Sequence, residues 1–180
     1  MVQVETGFRE KAISGGSLCK RPACFADEGK KLLVCSAATV AVYSTATAEL
    51  LQVLEGHMGE VTTVALNPKN TSQAYTSSLD GTVRLWDFKS GALLKTLSVG
   101  EPVESMVVPQ KSQVAYLSCP WNGGASGRVL YLHLQQGKLV ERALVKTSRA
   151  GRLAVSGPGG VVGTTDRHTA LVWSAGGGSG

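Results

Sequence analysis

The hydrophobic and polar positions of the chain alternate over short runs that turn residues separate. Between residues 61 and 97 four runs follow one another: VTTVALNP, SQAYTSS, TVRLWD and, at 92–97, ALLKTL. Asp80-Gly81, between the second and third runs, is a tight-hairpin signal. The most helix-like stretch, residues 141–155, contains Gly151, which favours a strand, a loop and a second strand. The pattern predicts an all-β protein.

The same unit recurs along the chain. VAVYSTATAELLQVL (40–54) aligns without a gap on VRLWDFKSGALLKTL (83–97), so that Tyr43 falls on Trp86. The predicted anchor residues are Tyr43, Trp86, Tyr131 and Trp173, at spacings of 43, 45 and 42 residues. Repeats of about 40–45 residues, each with four short strands, are typical of β-propeller blades.

The repeat divides the chain into an N-terminal segment (1–19), a partial propeller (20–173) and a Gly/Ser-rich tail (174–180). The predicted blades lie near 20–55, 56–98, 99–145 and 146–173. A Gly-rich loop at 119–128 is expected to replace the tight turn of the third unit, and the fourth unit lacks an outer strand. Four blades do not close the usual ring of about seven or eight. We therefore expect a partial or open propeller whose free faces favour association.

The second unit carries the pattern Gly-His, Asp-Gly, Trp-Asp, with Gly56-His57 preceding the strands and Trp86-Asp87 ending the third. This pattern resembles the WD-repeat family of β-propellers. The resemblance implies a hydrogen-bonded structural tetrad of His57, Thr76, Asp80 and Trp86. Only this unit is expected to hold the full set, because the first unit has Ala37-Ala38 in place of Asp80-Gly81.

Positive charge is concentrated at the C-terminal end of the chain. Residues 1–127 carry 11 basic and 11 acidic residues, whereas residues 128–180 carry 7 basic and 2 acidic residues. The densest basic stretch supplies the candidates for contact with RNA or an acidic partner: Arg142, Lys146, Arg149 and Arg152. Such a surface can meet phosphate, but it is also typical of the solvated surface of a soluble protein.

No residue pattern predicts catalysis, a metal site or a cofactor. The four cysteines include no CxxC pair, and the three histidines do not cluster with them, which argues against zinc and against a disulfide framework. His57 and Asp80 are better explained by the blade than by acid–base chemistry. We expect no catalytic residue, no metal and no cofactor.

A narrower resemblance extends over residues 15–108. The ending VAVYSTAT of the first unit, the turn LNPKN, and SLDGTVRLWD followed by SGALLKT are similar to the first propeller of the WD-repeat subunits of the small-subunit processome. That resemblance implies a non-enzymatic nucleolar scaffold that supports pre-18S rRNA processing and transcription by RNA polymerase I. Its partners would be protein subunits of a large ribonucleoprotein and pre-ribosomal RNA, with no membrane and no small-molecule substrate. The alternative is a general WD-repeat adaptor that binds peptide partners in ubiquitin-ligase or signalling complexes.

Overall fold

The computed structural model describes residues 21–110, 112–121, 126–145, 150–156, 160–165 and 170–174. These residues form fifteen β-strands in four antiparallel sheets. Within the described ranges there is no α-helix, and no helical segment is long and apolar enough to cross a membrane. The all-β prediction is confirmed, and the described parts of the helix-like stretch, residues 141–145 and 150–155, lie in two strands.

Each sheet is a meander in which neighbouring strands follow one another in the chain. Sheet 1 consists of β1 (Cys24–Ala26), β2 (Lys31–Ser36), β3 (Thr39–Ser44) and β4 (Leu50–Leu54). Sheet 2 consists of β5 (Val61–Asn67), β6 (Asn70–Ser78), β7 (Thr82–Asp87) and β8 (Ala92–Ser98). Sheet 3 consists of β9 (Ser105–Val107), β10 (Val114–Trp121), β11 (Ser126–His133) and β12 (Leu139–Val145). Sheet 4 has three described strands, β13 (Ala150–Ser156), β14 (Gly160–Thr165) and β15 (Ala170–Ser174).

The sheets pack face to face in chain order, and each seam encloses an apolar cluster. Between sheets 1 and 2 the cluster includes Leu33, Val42, Leu54, Trp86 and Phe88. Between sheets 2 and 3 it includes Tyr75, Val83, Leu117, Leu130 and Leu132. Between sheets 3 and 4 it includes Val114, Tyr116, Val129 and Leu153. Each strand supplies apolar side chains to both faces of its sheet, since successive side chains point to opposite sides. The result is an open stack of four propeller blades.

The first strand of each later sheet is the strand that contacts the sheet before it. β5 touches sheet 1 and β9, while β13 touches β9, β10 and β11. The first strands therefore lie side by side along one inner edge of the stack. The fourth strands of sheets 1 and 2 lie at the rim, where Leu50, Leu51, Leu93 and Leu94 are each about half exposed (45–53%).

The structure corrects two details of the third unit. Tyr131 is not the equivalent of Trp86: Leu132 pairs with Ala115 as Trp86 pairs with Ala74, and Leu132 is completely buried. Because side chains alternate, Tyr131 points to the opposite face and packs towards sheet 4. The Gly-rich loop is also shorter than expected. β10 and β11 stay paired through Cys119↔Arg128 to Trp121↔Ser126, so only residues 122–125 of it lie outside the described residues.

One turn shows how backbone geometry selects residues. The turn between the third and fourth strands places Gly91 at φ +78° in sheet 2 and Gly137 at φ +72° in sheet 3. The equivalent turn of sheet 1 places Ala48 at φ +58°. In all three turns this residue donates its N–H to the carbonyl four residues earlier. Glycine adopts this left-handed conformation without the steric cost that a Cβ brings.

Candidate functional site

The four residues of the predicted tetrad meet inside sheet 2. Trp86 lies on β7, Thr76 on β6, Asp80 in the turn between these strands, and His57 in the segment before β5. The indole Nε1–H donates to Thr76 Oγ1 at 2.9 Å. His57 Nε2 lies 2.7 Å from the same hydroxyl, and His57 Nδ1 lies 2.7 Å from Asp80 Oδ2. The structure thus brings together all four in one hydrogen-bonded chain.

The partners decide the direction of each hydrogen bond. An ionised carboxylate can only accept, so His57 Nδ1 must carry the proton that is donated to Asp80. In a neutral imidazole Nε2 is then an acceptor, and it receives the hydroxyl proton of Thr76. Thr76 in turn accepts from the indole of Trp86. Donor and acceptor roles therefore run without conflict from Trp86 to Asp80.

Among the four residues of the tetrad, Asp80 receives the most hydrogen bonds. Besides His57, its carboxylate accepts from Met58 N at 3.0 Å, Thr82 N at 2.9 Å and Thr82 Oγ1 at 2.7 Å. Burial acts to raise the pKa of Asp80, but the hydrogen bonds from Thr82, His57 and Met58 outweigh it and lower the pKa to about 2. The carboxylate is therefore ionised across the physiological range.

For His57, burial affects the pKa more than hydrogen bonding does. Its burial lowers the pKa of the imidazole, and this effect outweighs the hydrogen bond and charge of Asp80, while the charge of Arg84 lowers it further. The side chains of His57 and Asp80 are only 1% and 8% exposed. A neutral imidazole with both nitrogens occupied has no free position for a substrate proton, since a general base must reach the proton that it abstracts. The hydrogen-bonded chain of these four side chains is therefore suited to stabilising the blade and not to acid–base chemistry.

Arg84 lies beside the tetrad, and the sequence analysis missed it. Its guanidinium sits against Gly56, where an added Cβ would lie 2.6 Å from Arg84 Nη1 and 3.3 Å from Trp86 Cη2. The Arg84 Nε atom is buried without a hydrogen-bond partner. Gly56 adopts φ +147°. The glycine thus makes room for the arginine and the indole at the seam between sheets 1 and 2.

A second set of polar contacts, also missed, links the inner strands. Thr63 Oγ1 on β5 accepts from Met106 N on β9 at 3.2 Å. Ser105 Oγ on β9 accepts from Leu153 N on β13 at 3.0 Å. Thr63 and Ser105 occupy equivalent positions, because they pair with Ser77 and Ser118 on the second strands. One hydroxyl per sheet thus satisfies an amide of the next inner strand. We call these contacts the hydroxyl-to-amide links.

The inner strands also line a cavity of about 650 Å³. Its wall combines apolar side chains, including Val64, Leu66 and Met106, with the hydroxyls of Thr62, Thr63 and Ser105. Three charged residues, Arg21, Glu104 and Arg152, contribute to the lining. In the ranges that the structure describes, no three His, Cys, Asp or Glu side chains are grouped as a metal site would require.

Burial makes the thiols of Cys119, which is buried, and Cys24, which is partly buried, poor nucleophiles. Cys119 is fully buried, and burial, with a smaller contribution from the charge of Glu104, raises its pKa to about 12. Burial also raises the pKa of Cys24, although a hydrogen bond with Leu66 opposes it. Because the thiolate is the reactive form, both side chains act as small apolar groups at neutral pH.

The predicted basic group is only partly visible. Arg152 lies on β13, is exposed and borders the inner cavity. Arg142 lies on β12, but its side chain is outside the described set, and Lys146 and Arg149 lie outside the described residues. The structure therefore places Arg152, and the grouping of the four basic side chains stays a prediction.

A four-stranded sheet that contains a buried His–Thr–Asp–Trp chain, stacked in series with similar sheets, defines a WD-repeat β-propeller. Comparison with known families agrees and is more specific. Residues 24–147 match the family model described as "WD repeat-containing protein 75 first beta-propeller", and the chain belongs to this family. WD-repeat propellers are generally non-catalytic scaffolds that mediate protein–protein interactions.

Individual relatives give the same result. The chain is 49% identical to WD repeat-containing protein 75 of Xenopus laevis over 88 residues, which cover 48% of the chain and 11% of the relative. It is 43% identical to that of Homo sapiens over 96 residues, covering 53% and 12%. It is 40% identical to that of Danio rerio over 109 residues, covering 61% and 13%. The matched region is thus a small part of these relatives.

A solved structure supports the fold alone. The crystal structure of the computationally designed Ika4 protein aligns with a TM-score of 0.67 and 19% identity, covering 92% of this chain and 96% of the designed one. At this identity the likeness carries no information on function.

Proposed function

We propose that the chain is part of a non-enzymatic scaffold of the nucleolar small-subunit processome. In this role it supports pre-18S rRNA processing and the transcription of ribosomal RNA by RNA polymerase I. The observation that carries the proposal is the match of residues 24–147 to the first propeller of WD repeat-containing protein 75. The 40–49% identity to three vertebrate relatives supports the same assignment.

The chemistry of the described residues is consistent with a scaffold. The ionisable pair of sheet 2, His57 and Asp80, is buried and saturated with hydrogen bonds. The hydrogen bonds of this pair therefore contribute to the stability of a blade. The surfaces that remain available are the inner cavity, the turns and the leucine-bearing rim, and such surfaces suit protein partners.

The proposed partners are protein subunits of a large ribonucleoprotein assembly and pre-ribosomal RNA, and the proposed location is the nucleolus. Arg152 is exposed and borders the cavity. Arg142, Lys146 and Arg149 add to the positive charge of this part of the chain. Guanidinium groups form paired hydrogen bonds with phosphate, so RNA contact is proposed for this region rather than for the nearly neutral first part.

The test is a pull-down of the tagged 180-residue chain from nuclear extract, with and without RNase. Mass spectrometry would identify the proteins, and sequencing would identify the RNA. Co-purification of processome subunits together with pre-18S RNA supports the proposal. Arg152→Glu should reduce RNA recovery and leave the folded state intact, whereas Lys89→Glu, the same charge reversal at an exposed turn of sheet 2, should not.

The outcome that would replace the proposal is equally specific. A general WD-repeat adaptor would recover ubiquitin-ligase or signalling components, would be insensitive to RNase, and would bring no pre-rRNA. In that case the assignment of the fold would be unchanged, and the assignment to ribosome assembly would be abandoned.

A further inference from the structure

A second cavity, of about 300 Å³, lies in the seam between sheets 2 and 3. One row of side chains across sheet 2 forms one side of it, since the strand register aligns Tyr75 on β6 with Leu85 on β7 and Lys95 on β8. The other side comes from the segment that precedes β10 and from the segment that follows β11. We call this cavity the seam pocket.

Tyr75 contributes a buried hydroxyl to the seam pocket. The side chain is 5% exposed, and its hydroxyl has no hydrogen-bond partner among the described residues, although a buried tyrosine usually finds one. In the part of the chain that the structure describes, Arg84 Nε is the one side-chain nitrogen or oxygen that is both sealed from solvent and without a partner. The Tyr75 oxygen is therefore open to the pocket that its side chain lines. Burial raises the pKa of Tyr75, so the hydroxyl keeps a proton that it can donate.

Lys95 brings a positive charge into the same row. Its Nζ donates to the carbonyl of Gln135 at 2.6 Å and to the carbonyl of Leu134 at 3.3 Å. An ammonium group has three donors, so one donor remains after these two bonds. No carboxylate of the described residues forms an ion pair with Lys95. Neutral carbonyls thus fix the position of this charge without neutralising it.

Lys69 adds a second positive charge from the turn between β5 and β6, where its side chain is exposed. Among the described residues it has no acidic partner either. The described residues that line the pocket include the side-chain amides of Gln113 and Gln135, and they include no acidic residue. Ammonium, phenol and amide groups all donate hydrogen bonds. The lining therefore suits an anion with several acceptor oxygens.

The neighbouring sheets lack this combination at the same positions. The corresponding row of sheet 1 has no hydroxyl and no charge: Leu33, Val42 and Gln52. The corresponding row of sheet 3 has no cation: Tyr116, Tyr131 and Val140. The blade fold therefore requires neither a tyrosine nor a lysine in this row, and the seam pocket is a particular feature of sheet 2.

We propose that the seam pocket binds a phosphate monoester group, with Lys95, Lys69 and Tyr75 as its donors. Two ammonium groups match the charge of such a group, about −1.5 to −2 at neutral pH, whereas a carboxylate or an RNA phosphate carries a single charge. The volume of the pocket lies at the lower limit of typical small-molecule sites, about 300–1,000 Å³, and suits one phosphorylated side chain. The same chemistry is offered by free phosphate. The proposal is independent of the proposed role in ribosome assembly.

The first experiment is an NMR titration of the 15N-labelled 180-residue chain with O-phosphoserine. Inorganic phosphate, serine, glutamate and dimethyl phosphate are titrated in parallel. Phosphoserine at millimolar concentrations should shift the signals of Tyr75, Gln113 and Gln135 saturably, and serine should not. Glutamate and dimethyl phosphate should bind about tenfold more weakly, because each offers a single negative charge to the two ammonium groups. Tighter binding of phosphoserine than of inorganic phosphate assigns a phosphorylated side chain as the source, and the reverse order assigns free phosphate.

Substitutions separate binding from folding. Tyr75→Phe removes a hydroxyl that has no partner among the described residues, so thermal unfolding should be unchanged while phosphoserine binds about tenfold more weakly. Lys69→Gln should weaken binding to a similar degree. Lys89→Gln is its matched control, since Lys89 is exposed in another turn of sheet 2 and does not line the pocket; binding should be retained. Lys95→Met should also weaken binding, and circular dichroism checks that its sheets are retained.

Three results would overturn the proposal. The first is the absence of saturable shifts with phosphoserine at millimolar concentrations. The second is an equal affinity for glutamate or dimethyl phosphate, because the pocket would then not recognise the second charge. The third is unchanged phosphoserine binding in Tyr75→Phe and Lys69→Gln, because the anion would then lie elsewhere on the chain.

Discussion

Trp86 and His57 bind the same hydroxyl group, and they reach it from different parts of the sheet. Thr76 Oγ1 lies 2.9 Å from the indole Nε1 and 2.7 Å from His57 Nε2. The indole ties β7 to β6, and the imidazole ties the segment before β5 to the same residue. The hydroxyl of one threonine therefore joins three parts of sheet 2 at a point that is sealed from water.

Removal of the indole should have a large effect on stability. We expect Trp86→Ala to lower the free energy of unfolding by about 3–5 kcal/mol, because it creates a cavity at a 1% exposed position. Trp86→Phe keeps most of the apolar volume and loses the N–H, so its cost should be smaller, about 1–2 kcal/mol. Urea titration followed by circular dichroism measures both. A loss below about 1 kcal/mol for Trp86→Ala would contradict the packing described.

Stability should fall in acid through Asp80 and His57. The pKa of Asp80 drops from the ordinary 3.8 to about 2 on folding, so the stabilisation from its ionised form is complete above 3.8 and is lost as the pH falls towards 2. The pKa of His57 is also lowered, so acid favours the unfolded chain, whose imidazole binds the proton more readily. The unfolding free energy measured between neutral pH and pH 2 should decline accordingly.

Asp80→Asn supplies the control for that pH dependence. The amide does not titrate, so the part of the decline between pH 4 and 2, on the order of 1–2 kcal/mol, should disappear from the variant. The variant should also be less stable at neutral pH, because an amide accepts less strongly than a carboxylate from Met58, Thr82 and His57. An unchanged slope in the variant would show that other carboxyl groups dominate.

The left-handed turn of sheet 1 offers a stabilising substitution. Ala48→Gly should raise the unfolding free energy by about 0.5–1 kcal/mol, because Ala48 is held at φ +58°. The reverse change in sheet 2, Gly91→Ala, should destabilise, since its Cβ would also collide with the side-chain amide of Gln52. Thermal unfolding of both variants shows whether each substitution raises or lowers the stability. Equal effects of both changes would argue against the conformational explanation.

The hydroxyl-to-amide link of Ser105 is also testable. Ser105→Ala should leave the buried Leu153 N–H without its acceptor at 3.0 Å, at a cost of about 1–3 kcal/mol. The specific readout is hydrogen exchange, which should accelerate at the Leu153 amide. Ser105→Thr keeps the hydroxyl and should retain most of the protection. Equal protection in the alanine variant would show that the bond contributes little.

The sequence could predict the centre of the site because it depends on local motifs. His57, Asp80-Gly81 and Trp86 lie within one repeat, and their side chains have few alternative partners. Tyr131 was misassigned for a physical reason: RVLYLHL is apolar on both faces, so alternation alone does not separate Tyr131 from Leu132. Thr63 and Ser105 could not be recognised either, because a hydroxyl in a strand gives no sign of an amide that lies more than 40 residues away along the chain.

Continued two residues beyond Cys24↔Leu33, the register of β1 and β2 sets Pro22 opposite Cys35, which is the counterpart of Ser77 and Ser118. Pro22 thus stands where Thr63 and Ser105 stand in the next two sheets. Proline has neither a hydroxyl to offer nor an N–H to donate. The hydroxyl-to-amide links described above therefore start at sheet 2. Sheet 1 is joined to sheet 2 by buried apolar side chains, by the Val61 N–H that donates to the Ala37 carbonyl at 2.7 Å, and by the Arg21–Glu60 ion pair. The first seam is therefore the one that responds to ionic strength, because salt screens the partly exposed Arg21–Glu60 pair, whereas the hydroxyl-to-amide links of the later seams join uncharged groups.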